Sequence, residues 1–151
     1  MKIYVIGIGL IGGSMALELK ELFRDCHIVG VDQNEAHLKE ALALGIIDEK
    51  GSLETLEEAD RVILSIPVKE SLRLLPTLLD QLNDNALLWD VGSTKELLCK
   101  VVENHPKRDQ YLAAHPIAGT EFSGPKAAHL GLFNGKPQIL CEAKMTRSDL
   151  L

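Results

Sequence analysis

Lys2-Ile3-Tyr4-Val5-Ile6-Gly7-Ile8-Gly9-Leu10-Ile11-Gly12-Gly13-Ser14 decides how this chain is read. A short β-branched and aromatic run enters a glycine-rich turn directly, and a helical pattern follows, so the unit reads as strand, tight turn and helix. In such a unit the first glycine permits the sharp turn, the second lets backbone approach a pyrophosphate, and the third lets helix and strand pack closely. The phosphates sit on the free N–H groups of the helix start. By itself G-x-G-x-x-G is a weak signal, because purely structural turns share it. The context that strengthens it is an acidic residue about 20 residues later at the end of the next strand, and Asp32 closes His27-Ile28-Val29-Gly30-Val31. The competing role for Asp32 is a solvated turn residue capping the helix that begins near Asn34. A carboxylate here accepts hydrogen bonds from ribose hydroxyls and repels a 2′-phosphate. Neither Gln33 nor Asn34 supplies the cation that NADP needs, so NAD is favoured.

The 151 residues suffice for one domain with a core, and 46% hydrophobic with 25% charged residues is ordinary for a folded protein. A net charge of −6 without a Lys/Arg cluster argues against a nucleic-acid or acidic-membrane surface. Small soluble ligands are the expected partners. The uncharged run Ile3 to Leu17 after Lys2 superficially resembles a signal peptide. Glycines interrupt it, no small-residue cleavage site precedes Glu18, and it is too short to span a bilayer. A cytoplasmic protein is expected. Cys26, Cys99 and Cys141 are odd in number, far apart and in no C-x-x-C arrangement, which predicts reduced structural thiols and no metal site.

Further along, Ile11, Met15, Leu19 and Leu22 predict the packed face of a first helix. A second helix runs from Asn34 as N-cap to Gly45 just past its end. Asp48 to Asp60 reads as a solvated acidic connector without chemistry. Arg61–Ile66 is a third strand buried on both faces and stopped by Pro67; a leucine stripe follows, with Pro76 starting a new turn or kinking it. Ala86–Val91 is a fourth strand, Thr94–Glu103 a helix and Gln110–Ala114 a fifth strand. Asn134-Gly135 marks a turn before an edge-like strand at Pro137–Cys141. This alternation predicts an α/β, Rossmann-like, doubly wound and mostly parallel sheet with helices on both faces, over residues 1–141. Residues 142–151 read as a polar tail or the start of a further, helical domain.

In such a sheet ligands bind outside the carboxyl ends of the strands. Candidate cofactor contacts there are Gly7, Gly9, Leu10, Ile11 and Gly12, then Asp32, then Ile66, Pro67 and Ser93. His115 is the histidine placed directly at a strand end, and imidazole suits a general base for alcohol oxidation. A turn histidine before proline is the alternative; His105-Pro106 lies on the opposite edge and is assigned no function. Ser93-Thr94-Lys95-Glu96 matches a capping box, which competes with a substrate role for Ser93. Lys95 is expected to be a solvated first-turn residue. Glu121 either stabilises a charged His115 or is a loop carboxylate.

Together, Gly7-x-Gly9-x-x-Gly12-Gly13-Ser14, Gly30-Val31-Asp32-x-Asn34, Ala41-Leu42-x-x-Gly45-Ile46-Ile47-Asp48, Ser65-Ile66-Pro67-Val68, Asp90-Val91-Gly92-Ser93-x-Lys95 and His115-Pro116-Ile117-Ala118-Gly119-Thr120-Glu121-x-Ser123-Gly124 resemble the prephenate and arogenate dehydrogenases of tyrosine biosynthesis. The last two motifs carry the specificity, and the resemblance runs from residue 1 to about residue 141. It implies NAD-dependent oxidative decarboxylation of prephenate to 4-hydroxyphenylpyruvate, with arogenate as the alternative substrate. His115 would take the ring-hydroxyl proton, Ser93 would help position hydroxyl and imidazole, and Glu121 would border the substrate pocket. Members of that family carry a following helical domain that forms a homodimer and contributes cations to the substrate's carboxylates. The expectation is therefore a cofactor-binding half that binds NAD and turns over poorly alone. The rival readings are another Rossmann dehydrogenase of hydroxy acids or imines, a non-catalytic NAD-binding regulatory module, and a methyltransferase.

Overall fold

The computed structural model describes residues 1–151. In chain order the elements are β1 (Lys2–Ile6), α1 (Leu10–Leu22), β2 (His27–Val31), α2 (Glu35–Ala43), β3 (Glu49–Lys50), β4 (Arg61–Leu64), α3 (Val68–Gln81), β5 (Leu87–Asp90), α4 (Glu96–Val101), β6 (Tyr111–Pro116) and β7 (Gln138–Cys141). The strands form one sheet in the order β3-β2-β1-β4-β5-β6-β7. All neighbours are parallel except β6 and β7, which pair antiparallel with His115 opposite Ile139. The chain winds outward from β1 in one direction and from β4 in the other, so the switch point lies between these two strands, where the glycine loop emerges.

Strand periodicity feeds two cores. Tyr4, Ile6, Val62, Leu64 and Leu88 point to the face covered by α3 and α4, whereas Ile3, Val5, Ile28 and Ile63 point to the face covered by α1 and α2. On α3, Ser71, Leu75, Leu78 and Leu79 are buried, and the helix runs through Pro76 without ending there. Asn34 caps α2 as expected, its Oδ1 accepting from the Ala36 amide at 3.0 Å, and Gly45 follows the helix in a left-handed conformation at φ +69°. Asn134 and Gly135 form the expected turn, with the Lys136 amide donating to the Phe133 carbonyl at 3.0 Å. No helix is long and apolar enough to cross a membrane.

Several elements differ from the sequence expectation. The buried residues of α1 are Leu10, Gly12, Gly13, Ser14 and Ala16; of the expected stripe, Met15 and Leu19 pack partly buried against the core, Ile11 is half-buried and Leu22 is exposed. Small residues win because the helix lies close to its neighbours: a Cβ on Gly13 would meet the Ala128 Cβ at 2.7 Å. The acidic connector contains β3 and a 3₁₀ turn, Leu53–Glu58, whose Leu56 is fully buried. β6 extends two residues further than predicted, to Pro116, because β7 pairs with it there. α4 is shorter, starting at Glu96 and ending at Val101. Residues 142–151 fold back on the sheet: Thr146 Oγ1 donates to the Tyr111 carbonyl at 2.7 Å, and Leu150 is buried against Leu87 and Leu112.

Asp48, placed by sequence in a solvated connector, ties the α2 exit to β2 and α1. Its carboxylate accepts from the Ile28 amide at 2.8 Å and from Lys20 Nζ at 2.6 Å. Burial pushes this carboxyl up, but the Ile28 amide and the Lys20 ammonium outweigh burial and hold it below its ordinary value. The resulting stability is present above the unfolded carboxyl range, near pH 4, and is lost as pH falls through the lower folded value. Asp48→Ala is expected to cost about 1 kcal/mol at neutral pH. Urea unfolding of both proteins near pH 7 and near pH 3 checks this, since the charge-dependent part of the gap should shrink in acid.

Candidate active site

The glycine loop is built by backbone demands that differ from one glycine to the next. Gly7 sits at φ +93°, its amide donates to the Val31 carbonyl at 2.8 Å, and a Cβ there would lie 2.3 Å from the Ser65 carbonyl oxygen. Only glycine meets both conditions. Gly12 presses on the same turn: its Cβ would lie 2.2 Å from the Gly7 carbonyl oxygen. Gly9, the N-cap of α1, has φ −100° and nothing within 4 Å of a built Cβ. Neither conformation nor packing requires glycine at position 9, so what its missing side chain leaves is open space against bare backbone. The amides of Leu10, Ile11 and Gly12 have no acceptor in the chain, and no side chain caps the helix. Open backbone, free donors and the positive end of a helix dipole fit a pyrophosphate.

Asp32 stands beside this loop, its side chain 12% exposed. One carboxylate oxygen accepts from the Ile8 amide at 3.0 Å and the other from the Asn34 amide at 2.8 Å. The turn role and the loop-facing role therefore coexist, because the carboxylate keeps further lone pairs for a ligand hydroxyl. Ile66, after β4, packs against the loop, with its Cγ2 at 2.8 Å from a Cβ built on Gly7. Pro67 is the exposed N-cap of α3.

β5 and β6 deliver the other half of the edge. Asp90 is fully buried and is held by three donors: the Gly92 amide at 2.8 Å, the Tyr111 hydroxyl at 2.7 Å and Lys95 Nζ. Lys95 Nζ also donates to the Ala114 carbonyl at 2.7 Å. This corrects two expectations. Lys95 is 9% exposed, not solvated, and the capping box does not form: Lys95 itself is the N-cap of α4 with no side-chain cap bond. The Lys95 side chain is drawn inward to the Asp90 carboxylate, which delays the helix start and leaves Ser93 exposed and without a bonded partner. One ion pair thus fastens Gly92, next to Ser93, and Ala114, next to His115. Sequence reasoning missed this cluster; its signal was an aspartate ending an otherwise apolar strand, with one lysine five residues on. Burial first, and then the Asp90 carboxylate, hold the Tyr111 phenol protonated far above its ordinary range.

His115 lies near the end of β6, half-buried, with no hydrogen-bond partner for its imidazole. Glu121 is exposed and makes no ion pair with it. His105 is on the opposite edge, with Nδ1 accepting from the Lys107 amide at 3.1 Å and Nε2 3.1 Å from Asp80. Cys26, Cys99 and Cys141 are free thiols, and burial, with Glu142 second, pushes Cys99 up to about 11. Residues 117–137 leave β6, cross to α1 and α2, and return to β7. Along this path the His129 amide donates to Ser14 Oγ at 3.0 Å and the Gly131 amide to Glu18 at 2.6 Å.

Comparisons with known proteins agree with this geometry. The family model described as "Prephenate dehydrogenase, nucleotide-binding domain" matches residues 15–151. A prephenate dehydrogenase of Lactococcus lactis subsp. cremoris is 36% identical over 154 residues, covering 99% of this chain and 43% of the relative. The structure of Synechocystis arogenate dehydrogenase superposes with TM-score 0.87 at 30% identity, over 99% of this chain and 52% of that one. Aquifex aeolicus prephenate dehydrogenase, in complex with hydroxyphenyl propionate and NAD+, gives TM-score 0.84 at 31% identity, over 99% and 53%. The chain spans about two fifths of the length of the curated relatives it matches, 43% and 40% for the first two. With a Rossmann-like sheet, an open glycine loop at its switch point and these matches, the chain belongs to the prephenate dehydrogenase family, as its nucleotide-binding domain.

Proposed function

We propose that this chain is the cofactor-binding half of an NAD-dependent enzyme that oxidatively decarboxylates prephenate to 4-hydroxyphenylpyruvate. The observation that carries the reading is one sheet edge holding an open Gly9 backbone, Asp32 and a half-buried His115 whose imidazole is unengaged. When bound, NAD supplies the acceptor for the hydride that leaves the hydroxyl-bearing ring carbon. Leu10, Ile11 and Gly12 amides hold the pyrophosphate, Asp32 accepts from the ribose hydroxyls, and Ile66, Pro67 and Ser93 flank the cofactor. His115 would accept the hydroxyl proton as hydride departs; carbon dioxide leaves, its bonding pair completes the aromatic ring, which drives the reaction, and the phenolate oxygen so formed takes the proton back from His115. Ser93 orients the hydroxyl, and Glu121 borders the substrate. The Lys95–Asp90 pair sets the backbone on which Ser93 and His115 are mounted. The reading carries with it a small-molecule substrate, a cytoplasmic location and a homodimer formed by the complete protein, with no nucleic-acid or membrane partner. Arogenate is the second substrate to test, because the Synechocystis arogenate dehydrogenase superposes as well as its prephenate counterparts.

The test has two stages. Calorimetry of the 151-residue chain should show saturable NAD binding with weak turnover of prephenate. In a longer protein that joins this chain to the remaining domain of a relative, His115→Asn should lower kcat by about 10²–10⁴-fold with little change in NAD affinity. A His115→Asn enzyme as fast as its parent removes the histidine from the mechanism. Vigorous prephenate oxidation by the 151-residue chain contradicts its being only half of the catalyst.

A further inference from the structure

Next to Asp32 stands a cation source absent from the two residues that follow it in sequence. His37, on the first turn of α2, places Nδ1 3.6 Å from Asp32 Oδ2, and its side chain is 37% exposed. The imidazole makes no hydrogen bond. Its other nitrogen faces the end of the loop that follows His115: a Cβ built on Gly124 would lie 3.9 Å from Nε2. Two neighbouring carboxylates are paired, while Lys39, two residues along the helix, acts on Glu35 without a bonded partner. Glu40, one turn further along α2, meets Lys126 Nζ at 3.0 Å from the segment after Gly124, and Glu35 is joined to Lys50 on β3. Asp32 and His37 thus stand side by side at this end of the sheet edge, and the imidazole has no hydrogen bond of its own.

We propose that His37 sets how strictly the site excludes a 2′-phosphorylated dinucleotide, an inference that rests on the cofactor reading above. If Asp32 addresses a ribose hydroxyl, a phosphate on that hydroxyl comes within reach of the imidazole beside the carboxylate. With His37 neutral, Asp32 repels the phosphate unopposed and NAD+ is strongly preferred. With His37 charged, the imidazolium offsets the carboxylate and supplies a donor to the phosphate, so the preference narrows. On this proposal a change of charge on the imidazole changes the selectivity of the site. The 2′-phosphate also titrates, with a second pKa near 6, so the contribution of His37 is the difference between wild type and a variant that cannot gain charge.

The experiment is calorimetric titration of the folded 151-residue chain with NAD+ and with NADP+, near pH 8 and near pH 5.5. Wild type is compared with His37→Gln and with the permanently cationic His37→Lys. The preference of wild type for NAD+ should narrow on acidification by roughly fivefold more than that of His37→Gln. His37→Lys should show the narrowed preference at both pH values. Equal narrowing in wild type and His37→Gln, or a His37→Lys variant as selective as wild type near pH 8, overturns the role of His37 while NAD+ binding preserves the cofactor reading. Failure of the wild-type chain to bind either dinucleotide overturns both.

Discussion

Lys95→Met is expected to destabilise this chain by about 3–5 kcal/mol, a fifth or more of the roughly 5–15 kcal/mol ordinary for a folded domain. Asp90 has a fully buried carboxylate whose cationic partner is Lys95, with the Gly92 amide and the Tyr111 hydroxyl as its neutral donors. Methionine matches the lysine stem in length and apolar character. The loss therefore comes from an uncompensated buried charge and a freed Ala114 carbonyl, not from a cavity. Removing both charges, with Asp90→Asn beside Lys95→Met, should cost less than Lys95→Met alone, because no unpaired ion remains. Urea or guanidinium unfolding of the wild type, both single variants and the double variant closes the cycle. A Lys95→Met protein within about 1 kcal/mol of wild type would show that solvent reaches Asp90 or that the loop rearranges around it. In the enzyme proposed above, the same substitution should loosen the backbone next to both Ser93 and His115 and so lower kcat as well.

Gly9→Ala and Gly12→Ala should separate binding from folding. A methyl group on Gly9 meets no atom within 4 Å, and φ −100° suits any residue, so the fold should keep its stability to within about 1 kcal/mol. That methyl group stands where the backbone would otherwise meet a pyrophosphate, and NAD affinity should drop by about tenfold or more. Gly12→Ala drives its methyl group to 2.2 Å from the Gly7 carbonyl oxygen and about 3.0 Å from Ser65 Cβ. The Gly7 backbone on one side and the Ser65 Cβ, fixed to its own backbone, on the other leave little room to adjust, so this variant should lose about 1–3 kcal/mol or more of stability, with NAD binding lost as well. Thermal unfolding and calorimetry on the same preparations read both quantities. Undiminished NAD binding by Gly9→Ala would mean that the open space above the helix start is not the pyrophosphate site.

The sequence by itself determined the architecture, because its signals are local. Apolar runs with β-branched residues set the strands, Asn34 and Gly45 set the ends of α2 through stereochemistry within one turn, and the glycines with Asp32 set the first βαβ unit. The parallel arrangement of β1 to β6 then brings their carboxyl ends to one edge, so the candidate residues Gly9, Asp32, Ser93 and His115 were legible in the sequence as sharing that edge. Only the tertiary structure decided what depends on groups distant in sequence. α1 buries its glycines more completely than most of its larger side chains, since Ala128, more than a hundred residues later, comes to lie against Gly13. Lys95 is inside, not in water, since β6 brings the Ala114 carbonyl beside Asp90. Charge and hydropathy patterns report how a residue prefers to be solvated; which partner overrides that preference is set by contacts that form only when distant segments meet.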